Sequence, residues 1–131
     1  MKIYTSYFAN LKKVYAANIA PIGIARFSPK YFYGNNLLTL APRADMLSME
    51  QDRYDREYKK ILSQLNPHVI YKRIEEIAEG RDVALLCYEK FGEHCHRHLV
   101  AEWLNKELGL DITEFGYSAR KIQEVIQMSL F

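Results

Sequence analysis

The stretch that most restricts how this chain can fold is DVALLCY, residues 82 to 88. Its apolar residues do not alternate with polar ones, and it is of strand rather than helix length. A continuous apolar run of this kind is expected of a strand covered on both faces in a parallel sheet. Such a strand needs helices above and below it, which points to an α/β architecture.

The neighbouring segments supply the other layers. KIYTS (2–6) reads as a first strand, and IAPIGIA (19–25) as a second, more buried one despite Pro21; LKKVYAANI between them suits a short helix. Ser48 followed by Gln51 is a capping-box pattern that predicts a helix start. Tyr54, Tyr58, Ile61, Leu62 and Leu65 then share one helical face. Asn66 with Pro67 predicts the N-cap and first turn of a further helix, which turns Ile70, Ile74 and Ile77 inward and ends at Gly80. Residues 94–108 form another amphipathic helix, with Leu99, Val100, Trp103, Leu104 and Leu108 as its stripe and Gly109 past its end. DITEF is expected to be a last strand, and Ser118 to cap a final helix packed through Ile122, Val125 and Ile126. The order predicts one three-layer α/β domain over residues 1–131, with a mostly parallel sheet of about four strands flanked by helices.

Composition narrows the function classes. Eighteen Lys and Arg against sixteen Asp and Glu leave a net charge of +2, which gives no bulk attraction to nucleic acid or membranes. No segment approaches the roughly 20 apolar residues of a membrane span, and the first residues lack a signal-type apolar run. A cytoplasmic protein with no membrane partner is expected. In a reducing compartment its two cysteines point to catalysis, redox or metal chemistry more than to a structural staple.

Both cysteines, and three of the four histidines, fall in CYEKFGEHCHRHLVAEWL (87–104). Cys87 and Glu89 stand at the end of the apolar strand, while Cys95, His96 and Arg97 stand in the first turn of the next helix. In α/β sheets ligands bind beyond the carboxyl ends of the strands, where this junction lies. No Ser, Thr, Asp or Asn occurs from Lys90 to Arg97, so the first amides of the helix lack a good side-chain cap. A phosphate would suit those amides and Arg97, and the same positive field would favour a Cys95 thiolate.

Several readings stay open at this point. Zinc could use Cys87, Cys95 and one or two of His94, His96 and His98, but the spacing is not that of a standard knuckle, so neither metal nor cofactor is assigned. A redox pair would need the two Cα atoms within roughly 7 Å. A nucleophilic or anion-binding site would use Cys95 or Glu89 beside Arg97, with His96 carrying the proton. The plainest alternative makes Cys95, Leu99 and Trp103 one buried helix face and leaves the histidines in solvent. Cys87, inside the apolar run, reads as core.

The motif residues resemble a known family. LLCYE (85–89) followed by Cys95-His96-Arg97 is similar to the signature of the domain of unknown function family 488. IYTSYF, with Ser6, resembles its first strand, and IGIARFSPKYF, with Arg26, Ser28 and Pro29, its second. An acidic residue often found two positions before that arginine is Ile24 here. The resemblance implies a small α/β domain in which Ser6, Arg26, Glu89, Cys95, His96 and Arg97 gather at the strand ends, and it supplies no reaction.

The loop from 26 to 47 adds a second hint. Arg26, Lys30 and Arg43 lie among Phe27, Tyr31, Phe32 and Tyr33, and cations that hold phosphates beside rings that stack on bases suit a nucleotide or single strand. The alternative is a packed crossover whose cations are solvated. The reading adopted is an enzyme or sensor for a nucleotide or nucleic acid. In it Arg97, Arg26 and Ser6 bind the anion, and Cys95, Glu89 and His96 do the chemistry. A non-catalytic accessory module with a structural cluster is the competing expectation.

Overall fold

The computed structural model describes residues 1–89 and 95–116. Strands β1 (Ile3–Tyr7), β2 (Ala20–Gly23), β3 (Asn35–Asn36), β4 (Val83–Cys87) and β5 (Thr113–Glu114) form one sheet in the order β3-β2-β4-β1-β5. Every pairing is parallel. β4 takes the centre, as its apolar run requires: Val83 registers with Ile3 on one side and Ala20 on the other, and every residue of the strand is buried.

The helices are α1 (Leu11–Ala16), α2 (Gln51–Ser63), α3 (Pro67–Ala78) and α4 (His96–Leu108). Strand side chains alternate between faces, so residue parity decides which layer each one meets. Ile3, Ile22, Val83, Leu85 and Cys87 face Tyr58, Leu62, Ile70, Ile74, Val100 and Leu104 of α2, α3 and α4. Ala84 and Leu86 face the other way, toward Phe8, Phe32 and Val14 of α1. The result is the three-layer α/β arrangement, with five strands rather than about four.

The added strand comes from the segment read as a loop. Asn35 and Asn36 pair with Ile22 and Gly23, and Gly23 permits this because a Cβ there would run into the Asn36 side chain and crowd Phe32 and Ser28. Short turns at Leu38–Leu40 and Ala44–Ser48 follow, and the segment buries Phe32, Leu37, Leu40 and Met46. Phe32 stacks at a tilt on Phe8, with ring centroids 5.2 Å apart.

Helix ends test the capping arguments. Asn66 caps α3 as its sequence predicts, its Oδ1 accepting from the amides of His68 (2.9 Å) and Val69 (3.4 Å). Ser48 does not start α2: its hydroxyl donates to the Asp45 carbonyl in the preceding turn, and the helix begins at Gln51 behind Glu50. α3 stops at Ala78, with Glu79 (φ 49°) and Gly80 (φ 86°) both left-handed. The helix predicted from Ser118 lies outside the described residues. Among the described residues no helix is long and apolar enough to cross a membrane.

Tyr58 joins α2 to the packed loop. It is fully buried and its hydroxyl donates to the Leu40 carbonyl at 2.6 Å. Burial, with Tyr54 adding to it, raises its pKa well above the ordinary value. The folded state therefore holds this proton where the unfolded chain, titrating near about 10, has released it. Stability from this group is complete below that pH and declines as pH rises toward the folded value. Tyr58→Phe is expected to lower stability by about 1–3 kcal/mol at neutral pH, through the stranded carbonyl. Its further loss above about pH 10 should be shallower than the parent's, since this titration is gone. Urea denaturation on both sides of that pH measures both effects.

Candidate functional site

The carboxyl end of β4 carries the site. Cys87 points to the α2, α3 and α4 layer, and its sulfur is bonded to that of Cys95, with the Cα atoms 7.2 Å apart. Cys95 is the N-cap of α4, in extended conformation (φ −157°, ψ 145°), and its own side chain makes no capping bond. Cys95 thus precedes the first turn instead of lying in it.

His96 opens the helix and is held from two sides. Its Nε2 lies 2.7 Å from the Ile24 carbonyl. That oxygen only accepts, so Nε2 carries the hydrogen, and in the neutral ring Nδ1 is the lone-pair nitrogen. Nδ1 lies 3.9 Å from the Cys95 sulfur. The ring packs edge-on against Tyr58 at 5.1 Å and tilts against Tyr54 at 6.5 Å, so the inward face of α2 fixes its orientation. One ligand atom each from Cys87, Cys95 and His96 lies within 4.8 Å of the others, and all three residues are buried.

Among the described residues Arg97 is the largest fully buried side chain. Its Nε and Nη2 donate to the two oxygens of Glu114, each at 3.0 Å, in a fork-to-fork ion pair. Nη1 donates to the Cys87 sulfur at 3.1 Å and to the Glu89 carbonyl at 2.7 Å. Thr5 donates to the same carboxylate at 2.5 Å, and Tyr7 offers its ring 5.9 Å from the guanidinium carbon. The cation is thus sealed among α4, β5, β1 and β4.

A cavity of about 430 Å³ opens above this cluster. Its walls include Arg26, Phe27, Tyr54, Glu89, Cys95 and His96, and Cys87 also lines it. Arg26 is laid along the wall by a 2.7 Å bond from Nε to the Pro42 carbonyl. Burial, and then the Glu89 and Asp55 carboxylates, raise the Tyr54 pKa, so its hydroxyl stays protonated.

The structure brings together four of the residues singled out from sequence: Arg26, Glu89, Cys95 and His96. Arg97 is not among them. It belongs to the helix face of Val100, Ala101 and Leu104, three, four and seven positions on, and that face is core. Ser6 is also elsewhere: its parity sends it to the α1 side, where it is fully buried and accepts from Asn10 Nδ2 at 3.2 Å. The alternative that left His96 in solvent fails, since that ring is 5% exposed. His94 lies outside the described residues.

The aromatic and basic loop divides. Phe27 reaches the cavity and Phe32 the core, whereas Tyr31 and Tyr33 are exposed. Arg43 pairs on the surface with Asp45 and Glu57. From sequence Cys87 is a candidate zinc ligand or redox partner that reads as core, because an apolar neighbourhood looks like core; it is buried, bonded to Cys95 and on the cavity wall. Its parity with Val83 and Leu85 was the available signal. Glu114 was missed, although a lone carboxylate inside a short strand needs a buried partner.

A family model described as the active DUF488-N3 subclade, DUF488-N3a, matches residues 9–108. The chain belongs to the DUF488 family. The DUF488 match takes in Arg26 and the whole run from Cys87 to Arg97, while Ser6 and Glu114 fall beyond its ends. No curated protein and no solved structure matches the chain.

Breaking a buried pair strands one charge, whereas replacing both partners removes the desolvation as well. Glu114→Gln is therefore expected to cost about 3–5 kcal/mol, and the double variant Arg97→Met with Glu114→Leu to recover much of that. Urea midpoints of the three proteins measure the difference; equal midpoints for parent and Glu114→Gln would show that the pair does not hold the fold.

Proposed function

We propose that this DUF488 protein is an enzyme that binds an anionic, ring-bearing ligand of the nucleotide class in the cavity beyond β4. Cys95 and His96 form its reactive centre. The observation that carries the reading is the convergence of a basic group, aromatic walls, and the Cys95 sulfur beside the His96 imidazole on one cavity, a sulfur that reduction of its bond to Cys87 would free as a thiol. Its volume of about 430 Å³ falls within the range usual for small-molecule sites.

The roles follow from position. Arg26, whose Nε is tied to Pro42, holds the anionic group, and the faces of Phe27, Tyr54 and Tyr88 receive a planar ring. Glu89, half-buried on the wall, carries the proton. Arg97 positions Cys87 and the β4 end instead of touching the ligand, so the anion role expected of two arginines falls to Arg26. The word active describes the matched subclade, and carried over to this chain it supports catalytic use of the cluster.

A second reading, a non-catalytic accessory module, rests on one observation: four of the five Arg97 N–H donors are taken by Glu114, Cys87 and the Glu89 carbonyl, as in a structural junction. Calorimetric titration of nucleoside phosphates, short oligonucleotides and inorganic phosphate discriminates the ligand class. Nucleotides should bind more tightly than phosphate alone, and Arg26→Ala should weaken them at least about tenfold, the loss of one charge-assisted contact. Binding that is absent, or indifferent to Arg26, would sink the reading.

A further inference from the structure

We infer that, once the Cys87–Cys95 bond is reduced, Cys87, Cys95 and His96 hold one zinc ion with its fourth position open to the cavity. A phosphine reductant cleaves the disulfide to two thiols, taking up an oxygen from water while water supplies the two protons. Metal binding then displaces those protons, because the thiolates are the ligands.

Four features of the cluster support this. The ligand atoms already lie within 4.8 Å of one another. Two thiolates on a tetrahedral zinc, with Zn–S near 2.3 Å, stand about 3.8 Å apart, a separation that side chains on Cα atoms 7.2 Å apart reach by small rotations. A ligating histidine usually donates its other ring N–H to a carbonyl or carboxylate, which fixes the tautomer. His96 does this: Nε2 is bonded to the Ile24 carbonyl, and Nδ1 is turned to the Cys95 sulfur. Arg97 Nη1 donates to the Cys87 sulfur, the hydrogen bond a coordinated thiolate accepts.

Charge balance points the same way. Cys87 and Cys95 are 1% and 3% exposed, and two thiolates there without a cation would be strongly unfavourable. Zn²⁺ neutralises both, while Arg97 and Glu114 already neutralise each other. Two sulfurs and an imidazole nitrogen also select zinc over magnesium or calcium, which take oxygen ligands.

Three protein ligands leave a fourth position, the pattern of catalytic rather than structural zinc. All three residues line the cavity, so that position is reached by water or by an electronegative atom of a bound ligand, with Glu89 on the same wall. The inference rests on the cavity being the working site. It alters one part of that reading: in the zinc form Cys95 is a ligand, and metal-bound water takes its place as the reacting group.

The test uses the full chain, reduced with a phosphine, loaded with Zn²⁺ and dialysed free of excess. The parent should retain about one equivalent, and Cys87→Ser, Cys95→Ser and His96→Ala should each fall to a small fraction of that. Loading the reduced parent with Co²⁺ guards against a variant that fails to fold, since two thiolate ligands give near-ultraviolet charge-transfer absorption in the intact protein. A folded, reduced parent that retains no zinc, or shows no thiolate absorption with Co²⁺, overturns the inference, as does undiminished zinc in Cys87→Ser. Zinc retained with no nucleotide bound would leave the metal site standing and remove the nucleotide reading; nucleotide binding without zinc would do the reverse.

Discussion

The Arg97 guanidinium ties the candidate site to the sheet. It is charged, fully buried, and bonded to Glu114 of β5, Cys87 of β4 and the carbonyl of Glu89. Thr5 of β1 completes the carboxylate's shell. Because a buried cation must have nearly all its donors met, these groups are constrained together. The same demand explains how two-residue β5 keeps its place: Thr113 and Glu114 pair with Tyr4 and Thr5, and the ion pair adds a side-chain anchor to that short ladder. With α4 pinned at Arg97, the residues just before it, Cys95 and His96, are delivered to the end of β4.

The fold was legible where one physical cause dominates. DVALLCY has no polar face, so it could only be central, and central it is between β1 and β2. Asn66 before Pro67 gave the α3 cap because a side-chain oxygen there meets two free amides. Reading failed where two local solutions were nearly equal. Ser48 had a capping pattern, but its hydroxyl found the Asp45 carbonyl in the turn before the helix. The segment from 26 to 47 carried loop punctuation, yet Gly23 allowed Asn36 close enough for a fifth strand to form.

The site was legible in its location more than in its membership. Strand ends and helix starts were enough to bring Arg26, Glu89, Cys95 and His96 together. Parity excluded Ser6 and admitted Cys87, and parity was available from the sequence once β4 was placed. Arg97 was harder: beside Cys95 and His96 it looks like a ligand-binding cation, and only its helical phase with Val100, Ala101 and Leu104 shows that it turns inward. Its partner Glu114 is far along the chain, so no local pattern joins them.

The chemistry of the cluster bears on why it exists. Apolar side chains of similar volume usually replace a buried ion pair without loss of stability, and often with a gain. Stability alone therefore gives little reason to place an arginine, a glutamate, two cysteines and a histidine inside one core. Three of the five, Cys87, Cys95 and His96, reach the cavity, and Arg97 and Glu114 stand directly behind Cys87. The arrangement is a layer of sulfur and imidazole groups on the cavity wall backed by an ion pair that fixes the position of the Cys87 sulfur. The His96 ring follows the same logic, with its far nitrogen committed to a backbone carbonyl and its near nitrogen facing a sulfur. A junction built only to hold α4 on the sheet would need the ion pair; it would not need the imidazole to be so oriented.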